Sequence, residues 1–178
     1  ISSGYCDKRF KYGKNRDTRF VFERVGFSSK MNELEAAIGL GNLDIYPEIL
    51  GKRRKNLLYM MTRFKEFSPF LYTIEEGPEE QIGPHAFPII LGERARFTRD
   101  EFVYFLERHE IDTRNLFLSM PTQCPGFAYL GHKLGEFPNA EYMGDCGLHI
   151  GIHQDMEKKH LDYVLNTIKE FLKKERMP

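Results

Sequence analysis

The chain has 178 residues, enough for one good core or two small ones, with 41% hydrophobic and 29% charged residues, the composition of a soluble globular protein. Its 26 basic and 26 acidic residues cancel, so no net field argues for nucleic acid or a membrane surface as partner. Three separated cysteines, Cys6, Cys124 and Cys146, form no CxxC pair, which points away from a zinc site or a disulfide framework. With no membrane-length apolar run and no leader pattern, the expected setting is the cytoplasm.

The chain opens Ile-Ser-Ser-Gly without an initiator Met and reads as a fragment of a longer protein. Residues 1–25 mix Lys8, Arg9, Lys11, Lys14, Arg16 and Arg19 with aromatics. They are read as a solvated connector ending in a short strand near Thr18–Val25, with an RNA- or phosphate-binding arm as the alternative.

From Gly26 to Leu43 a polar loop becomes a helix. Leu34, Ala37, Ile38 and Gly41 fall at i, i+3, i+4 and i+7 and give one apolar face. Ala36, Ala37, Gly39 and Gly41 keep that face flat. Each Gly in a helix costs roughly 1 kcal/mol relative to Ala, so a closely approaching backbone is expected to compensate. Ser28 and Ser29 stand where an N-cap belongs, at a helix end that attracts anions.

Tyr46-Pro47 predicts a break, and a second helix follows to about Phe67 with Leu50, Leu57, Met61 and Phe64 on one face. Lys52, Arg53, Arg54 and Lys55 are read as a solvent-facing cluster. Phe70–Ile74 reads as a short strand and Glu75–Gly83 as an acidic loop. His85–Leu91 reads as a strand in which Pro88 favours an edge or a bulge. Thr98-Arg-Asp-Glu101 is a capping box opening a helix to His109, whose face is Phe102, Phe105 and Leu106.

Ile111–Leu118 is read as another strand, Phe137-Pro-Asn-Ala-Glu as the start of a short helix, and Gly147–Ile152 as a last strand. A packing helix runs from about Met156 to Lys174 with Leu161, Val164, Leu165, Ile168, Phe171 and Leu172 on one face. The fold class is α/β with an α+β small domain: long helices and a small, mainly antiparallel sheet. The expected organisation is a connector over 1–25, interface and connecting helices over 26–68, and a small domain over 69–178.

The stretch from Gly26 resembles the Gly-Tyr-Asn-x-Arg-Met-x-Glu-Leu-x-Ala-Ala-x-Gly signature of the DegT/DnrJ/EryC1/StrS sugar aminotransferases. Ser28 stands where that family usually has Asn, and Lys30 where it has Arg. Phe137-Pro-Asn-Ala-Glu with Gly147-Leu-His-Ile-Gly-Ile-His153, and Ile111-Asp-Thr-Arg114 with Pro121-Thr-Gln123-Cys-Pro125, resemble later family motifs in the same order.

The resemblance implies the C-terminal part of a fold-type I, pyridoxal phosphate (PLP)-dependent enzyme. It would act on a nucleotide-linked keto-sugar with an amino-acid donor, as a homodimer, in polysaccharide biosynthesis. It also implies that Ser28 and Lys30 face the cofactor phosphate. Arg114, Gln123 and His153 would face the substrate, with His153 as hydrogen-bonding partner and not as general base.

The Schiff-base lysine and the aspartate facing the pyridine nitrogen would lie upstream of Ile1, so no residue here is assigned a catalytic role and the chain alone should not transaminate. A nucleotide-sugar 3-dehydrase of the same family, with His in place of that lysine, stays open, as does a non-catalytic dimerisation or scaffold domain. His149 and His153 at i and i+4 suggest a shared face, but two His with no further ligands make no metal centre.

Overall fold

The computed structural model describes residues 31–116 and 129–175. Ser28, Ser29, Lys30 and Gln123, the predicted connector and the predicted strand near Thr18–Val25 lie outside these residues, as does the end of the predicted strand Ile111–Leu118.

Helix α1 spans Glu33–Phe64 without interruption. Its cap is Asn32: the Glu35 N–H donates to Asn32 Oδ1 at 2.8 Å and the Asn32 N–H donates to Glu35 Oε2 at 3.1 Å. This reciprocal pairing satisfies two first-turn donors. It places the start of α1 just after Asn32. The break expected at Tyr46-Pro47 is absent, and Pro47 sits inside the helix. Proline removes one helical hydrogen bond and crowds the carbonyl four residues back. Leu43, which owns that carbonyl, is exposed, so water is available to the freed group.

The chain divides into two compact units, Ile1–Ile45 and Tyr46–Pro178. In the first, the described residues are the opening turns of α1. Leu34, Ile38, Leu40 and Leu43 there are each more than half exposed. A Cβ built at Gly39 or Gly41 meets nothing within 4 Å, so the close approach that the flat face predicts is not made within the described part of this unit.

The second unit holds a four-stranded sheet of order β1-β2-β4-β3, with β1 Leu71–Tyr72, β2 Ala86–Leu91, β3 Thr113–Asn115 and β4 Gly147–Gly151. All pairs are antiparallel, as expected. The period-2 alternation decides the faces. Phe87, Ile89 and Leu91 of β2 and Leu148 and Ile150 of β4 are buried, while Pro88, Ile90 and His149 are half-buried.

The core is built on the first set. Leu57, Met60 and Phe64 from the second half of α1 are almost fully buried, and Phe64 meets Phe87 edge-on at 5.1 Å between ring centres. Helix α2, Arg99–Arg108, starts at the predicted Thr98/Glu101 capping box. Helix α4, Lys158–Lys174, buries all six residues of its predicted face. Phe171 lies 4.8 Å from Phe97, 5.1 Å from Phe102 and 5.0 Å from Phe105. Short helix α3, Pro138–Cys146, leads directly into β4 and is tied to β2 by the Tyr142 hydroxyl, which donates to the Leu91 carbonyl at 2.6 Å.

Pro88 is in neither an edge strand nor a bulge, since β2 lies between β1 and β4. The reason is local. The Pro88 carbonyl accepts from Thr73 Oγ1 at 2.7 Å, so the side of β2 on which Pro88 lacks an N–H faces where β1 has already ended. No ladder bond is lost there.

Of the basic cluster on α1, Lys52 and Lys55 are exposed but Arg53 and Arg54 are half-buried. Arg54 makes a two-pronged ion pair with Glu76. Glu76 Oε1 also accepts the Ile82 N–H at 2.7 Å. The expectation of a solvent-facing cluster fails at these two positions, because helical spacing turns them toward the loop that follows β1 and the turn that follows β4.

Candidate functional site

Two groups of polar side chains stand on β4 and in the turn that follows it. The first begins with β3. Thr113 is anchored to α2, its hydroxyl donating to Glu107 Oε1 at 2.8 Å. Strand alternation then sends the next residue, Arg114, to the opposite side. Arg114 is exposed and pairs in register with His149 of β4, which in turn pairs with Pro88 of β2.

Arg114 has no hydrogen-bond or ion-pair partner among the described residues. The His149 imidazole is held below its ordinary pKa by burial first, then by the proximity of His85 and of Arg114. A neutral, half-buried imidazole therefore sits between two further nitrogen-bearing side chains. The arrangement can hydrogen-bond an anionic or oxygen-rich group.

The second group is the turn after β4. The Asp155 N–H donates to His153 Nδ1 at 3.3 Å, and Asp155 Oδ2 lies 3.5 Å from the same nitrogen. A ring nitrogen that accepts an N–H carries no proton of its own, so in the neutral ring the proton is on Nε2. The imidazole is 53% exposed and presents an N–H donor. Beneath it, Asn56 Nδ2 donates to the carbonyls of His153 at 2.9 Å and Met156 at 3.2 Å, and Arg53 Nε donates to Gln154 Oε1 at 2.8 Å.

Arg114 is thus brought together with His149, and His153 with Asn56 and Asp155. The strand period linking His149 to His153 in the sequence stops at Gly151, where β4 ends, so the expected shared strand face does not form. Asn56 was missed by sequence reasoning, although a polar residue beside Leu57 and four before Met60 is a signal that an apolar stripe carries a buried hydrogen bond. Among the described residues no group of His, Cys, Asp and Glu is placed to hold a metal ion, and no helix is long and apolar enough to cross a membrane.

The described residues do not themselves build a PLP cradle. Every described lysine is exposed, whereas an imine-forming lysine is activated by desolvation or a cationic neighbour. The start of α1 holds its own Asn32/Glu35 pair, with Glu33 and Glu35 in the first turn. Those carboxylates occupy the positive end of the helix dipole.

A family model described as the DegT/DnrJ/EryC1/StrS aminotransferase family matches residues 6–169. The chain is 29% identical over 172 residues to the lipopolysaccharide biosynthesis protein RfbH of Salmonella typhimurium, covering 93% of this chain and 39% of that protein. It is 27% identical over 175 residues to a dTDP-4-dehydro-2,6-dideoxy-D-glucose 3-dehydratase of Saccharopolyspora spinosa, covering 95% of this chain and 38% of that one.

Among solved structures it resembles GDP-4-keto-6-deoxymannose-3-dehydratase with a trapped PLP-glutamate geminal diamine. The TM-score is 0.71 and the identity 25%, over 85% of this chain and 39% of that chain. The fold class expected from the sequence is therefore the one found. The chain spans about two fifths of the length of the relatives it matches.

Proposed function

Because the chain belongs to the DegT/DnrJ/EryC1/StrS aminotransferase family, we propose that it is the C-terminal portion of a PLP-dependent aminotransferase. The intact enzyme passes an amino group from an amino-acid donor to a nucleotide-linked keto-sugar in polysaccharide biosynthesis. It works in the cytoplasm as a homodimer. The observation that carries the reading on the structural side is Arg114: exposed, without a partner among the described residues, and beside His149.

The bound cofactor supplies the electron sink for bond changes at the amino-bearing carbon. This chain's residues bind and orient. Arg114 meets an anionic part of the nucleotide sugar or the donor carboxylate as a forked donor. His153 offers Nε2–H to a sugar oxygen and does not act as a base, because Nδ1 is engaged by the Asp155 N–H. Gln123 adds a further sugar contact. Ser28 and Lys30 reach the cofactor phosphate from the loop before α1. The exposed apolar face of Leu34 and Ile38, flattened by Gly39 and Gly41, lies against the second subunit.

A second reading is a nucleotide-sugar 3-dehydratase, favoured by the activity carried by two of these relatives. The test is to express the full reading frame and incubate the enzyme with PLP, L-glutamate and a nucleotide-linked 4-keto-6-deoxysugar. A new primary amine on the sugar supports the aminotransferase; loss of the C3 hydroxyl supports the dehydratase. Failure to bind both PLP and the sugar nucleotide would leave the scaffold role.

A further inference from the structure

The buried polar side chain that the proposed substrate contacts do not use is Asn56, 8% exposed in the apolar stripe of α1. An amide buried in such a stripe is retained at the cost of desolvation unless its donors are satisfied. Both carbonyls that Asn56 serves belong to the turn that carries His153, which follows it by about a hundred residues in sequence.

The His153 carbonyl takes a second bond from the Met156 N–H at 3.2 Å. One helical turn earlier on α1, Arg53 holds Gln154. Three links, at 153, 154 and 156, therefore fix this turn to one face of one helix. The turn in turn sets the imidazole: the Asp155 N–H can reach His153 Nδ1 only while the backbone from 153 to 156 keeps its bend.

We propose that Asn56, assisted by Arg53, is a positioning residue for His153, fixing the His153–Met156 turn so that the ring keeps its Nδ1 bond and presents Nε2–H outward. The role rests on the reading that His153 meets the substrate, but the placement of the ring can be tested apart from that reading. A side chain on α1 thereby governs a group in the turn after β4, distant from it in sequence. Asn56→Asp keeps the volume but replaces the amide with a carboxylate facing two carbonyl oxygens, so both bonds are lost and repulsion takes their place.

The experiment records the His153 ring resonances and the exchange rate of the Met156 amide in the intact enzyme by NMR with selective labelling, in wild type, Asn56→Asp and the milder Arg53→Met. Ile168→Val serves as a control that loosens the core away from the turn. The expected result is that Asn56→Asp moves the His153 ring signals and raises Met156 exchange about tenfold or more, that Arg53→Met does so to a lesser degree, and that Ile168→Val leaves the ring signals in place.

If Asn56→Asp does not fold, Arg53→Met decides the matter by the same two signals. Unmoved ring signals in the folded variants, or equal movement in Ile168→Val, would overturn the proposal.

In the intact enzyme, dTDP-glucose and GDP-mannose serve as binding probes. Weakening of either probe by roughly tenfold in His153→Gln, the loss of about one ligand hydrogen bond, with no further loss on adding Arg53→Met, supports action through His153. Multiplying effects overturn it. Unchanged affinity in His153→Gln sinks the substrate reading of His153, while the positioning of the ring is still decided by the NMR signals.

Discussion

Arg114 stands directly across from His149 in the β3–β4 pair, so a fixed cation faces an imidazole that burial already keeps from charging. The folded protein therefore binds a proton at His149 less readily than the unfolded chain does. As pH falls below the ordinary value of 6.5, the unfolded state takes up a proton first and stability drops until the folded pKa is reached. Urea midpoints measured between pH 7.5 and 5 should decline in wild type, and His149→Gln should flatten part of that decline. An identical slope in the variant would remove His149 as the cause.

The Arg54–Glu76 pair has the opposite chemistry and a lower window. Hydrogen bonding from Arg54 first, and then from the Ile82 N–H, holds the Glu76 carboxyl down at about 2 against an ordinary 4.5. Its contribution is complete above about 4.5 and is lost as pH falls toward 2. Glu76→Gln should melt below wild type at pH 7, with the gap closing across that range. A gap that stays constant to pH 2.5 would mean that the charge on Glu76 does not matter.

Helix α2 is followed, two residues past its end, by a strained residue. Glu110 has φ of 59°, the left-handed region that costs a side-chain-bearing residue roughly 1 kcal/mol. The Ile111 N–H donates back to the Leu106 carbonyl at 3.1 Å, a helix-terminating bond that needs this conformation. Glu110→Gly should stabilise the fold by about 1 kcal/mol, read as a raised urea midpoint. A lowered midpoint would show that the Glu110 side chain supplies more than the strain removes.

Phe171 is the aromatic hub of the helical side of the core, in contact with Phe97, Phe102 and Phe105. Its truncation to Ala should cost about 3–5 kcal/mol, measurable by denaturant titration. A loss under about 1 kcal/mol would mean that the cluster collapses to fill the space.

If the exposed face of α1 is the subunit contact, a charge there should separate the subunits without unfolding them. Ile38 is 59% exposed, so Ile38→Glu should leave the melting of the sheet unit unchanged while sedimentation reports a monomer. A dimer that persists with unaltered affinity would place the contact elsewhere.

Much of the fold was legible in the sequence, for identifiable reasons. The Thr98/Glu101 box and the six-residue stripe of α4 are local signals with strong periodicity, and both appear where expected. β2 and β4 likewise announced themselves as short apolar runs between breakers. Pro47 misled because a proline break depends on whether the freed carbonyl has somewhere to go, and exposure supplies that only in three dimensions.

Arg53 and Arg54 misled because their partners, Gln154 and Glu76, are distant in sequence. The same holds at the site. Arg114 and His153 were picked out by resemblance to family motifs. Their neighbours His149 and Asn56 follow from strand register and helix facing, which no single stretch encodes.

Pro88 carries one more implication. A sheet grows, or sticks to another molecule, through unpaired N–H and C=O groups along a free strand. β1 ends at Tyr72, opposite Ile90, which uncovers the part of β2 before Ile90 and would leave such a row. Pro88 offers no donor there, and its carbonyl is already taken by Thr73. An incoming strand would find neither half of a ladder rung, so this corner of the sheet is closed to intermolecular strand addition by one proline and one hydroxyl.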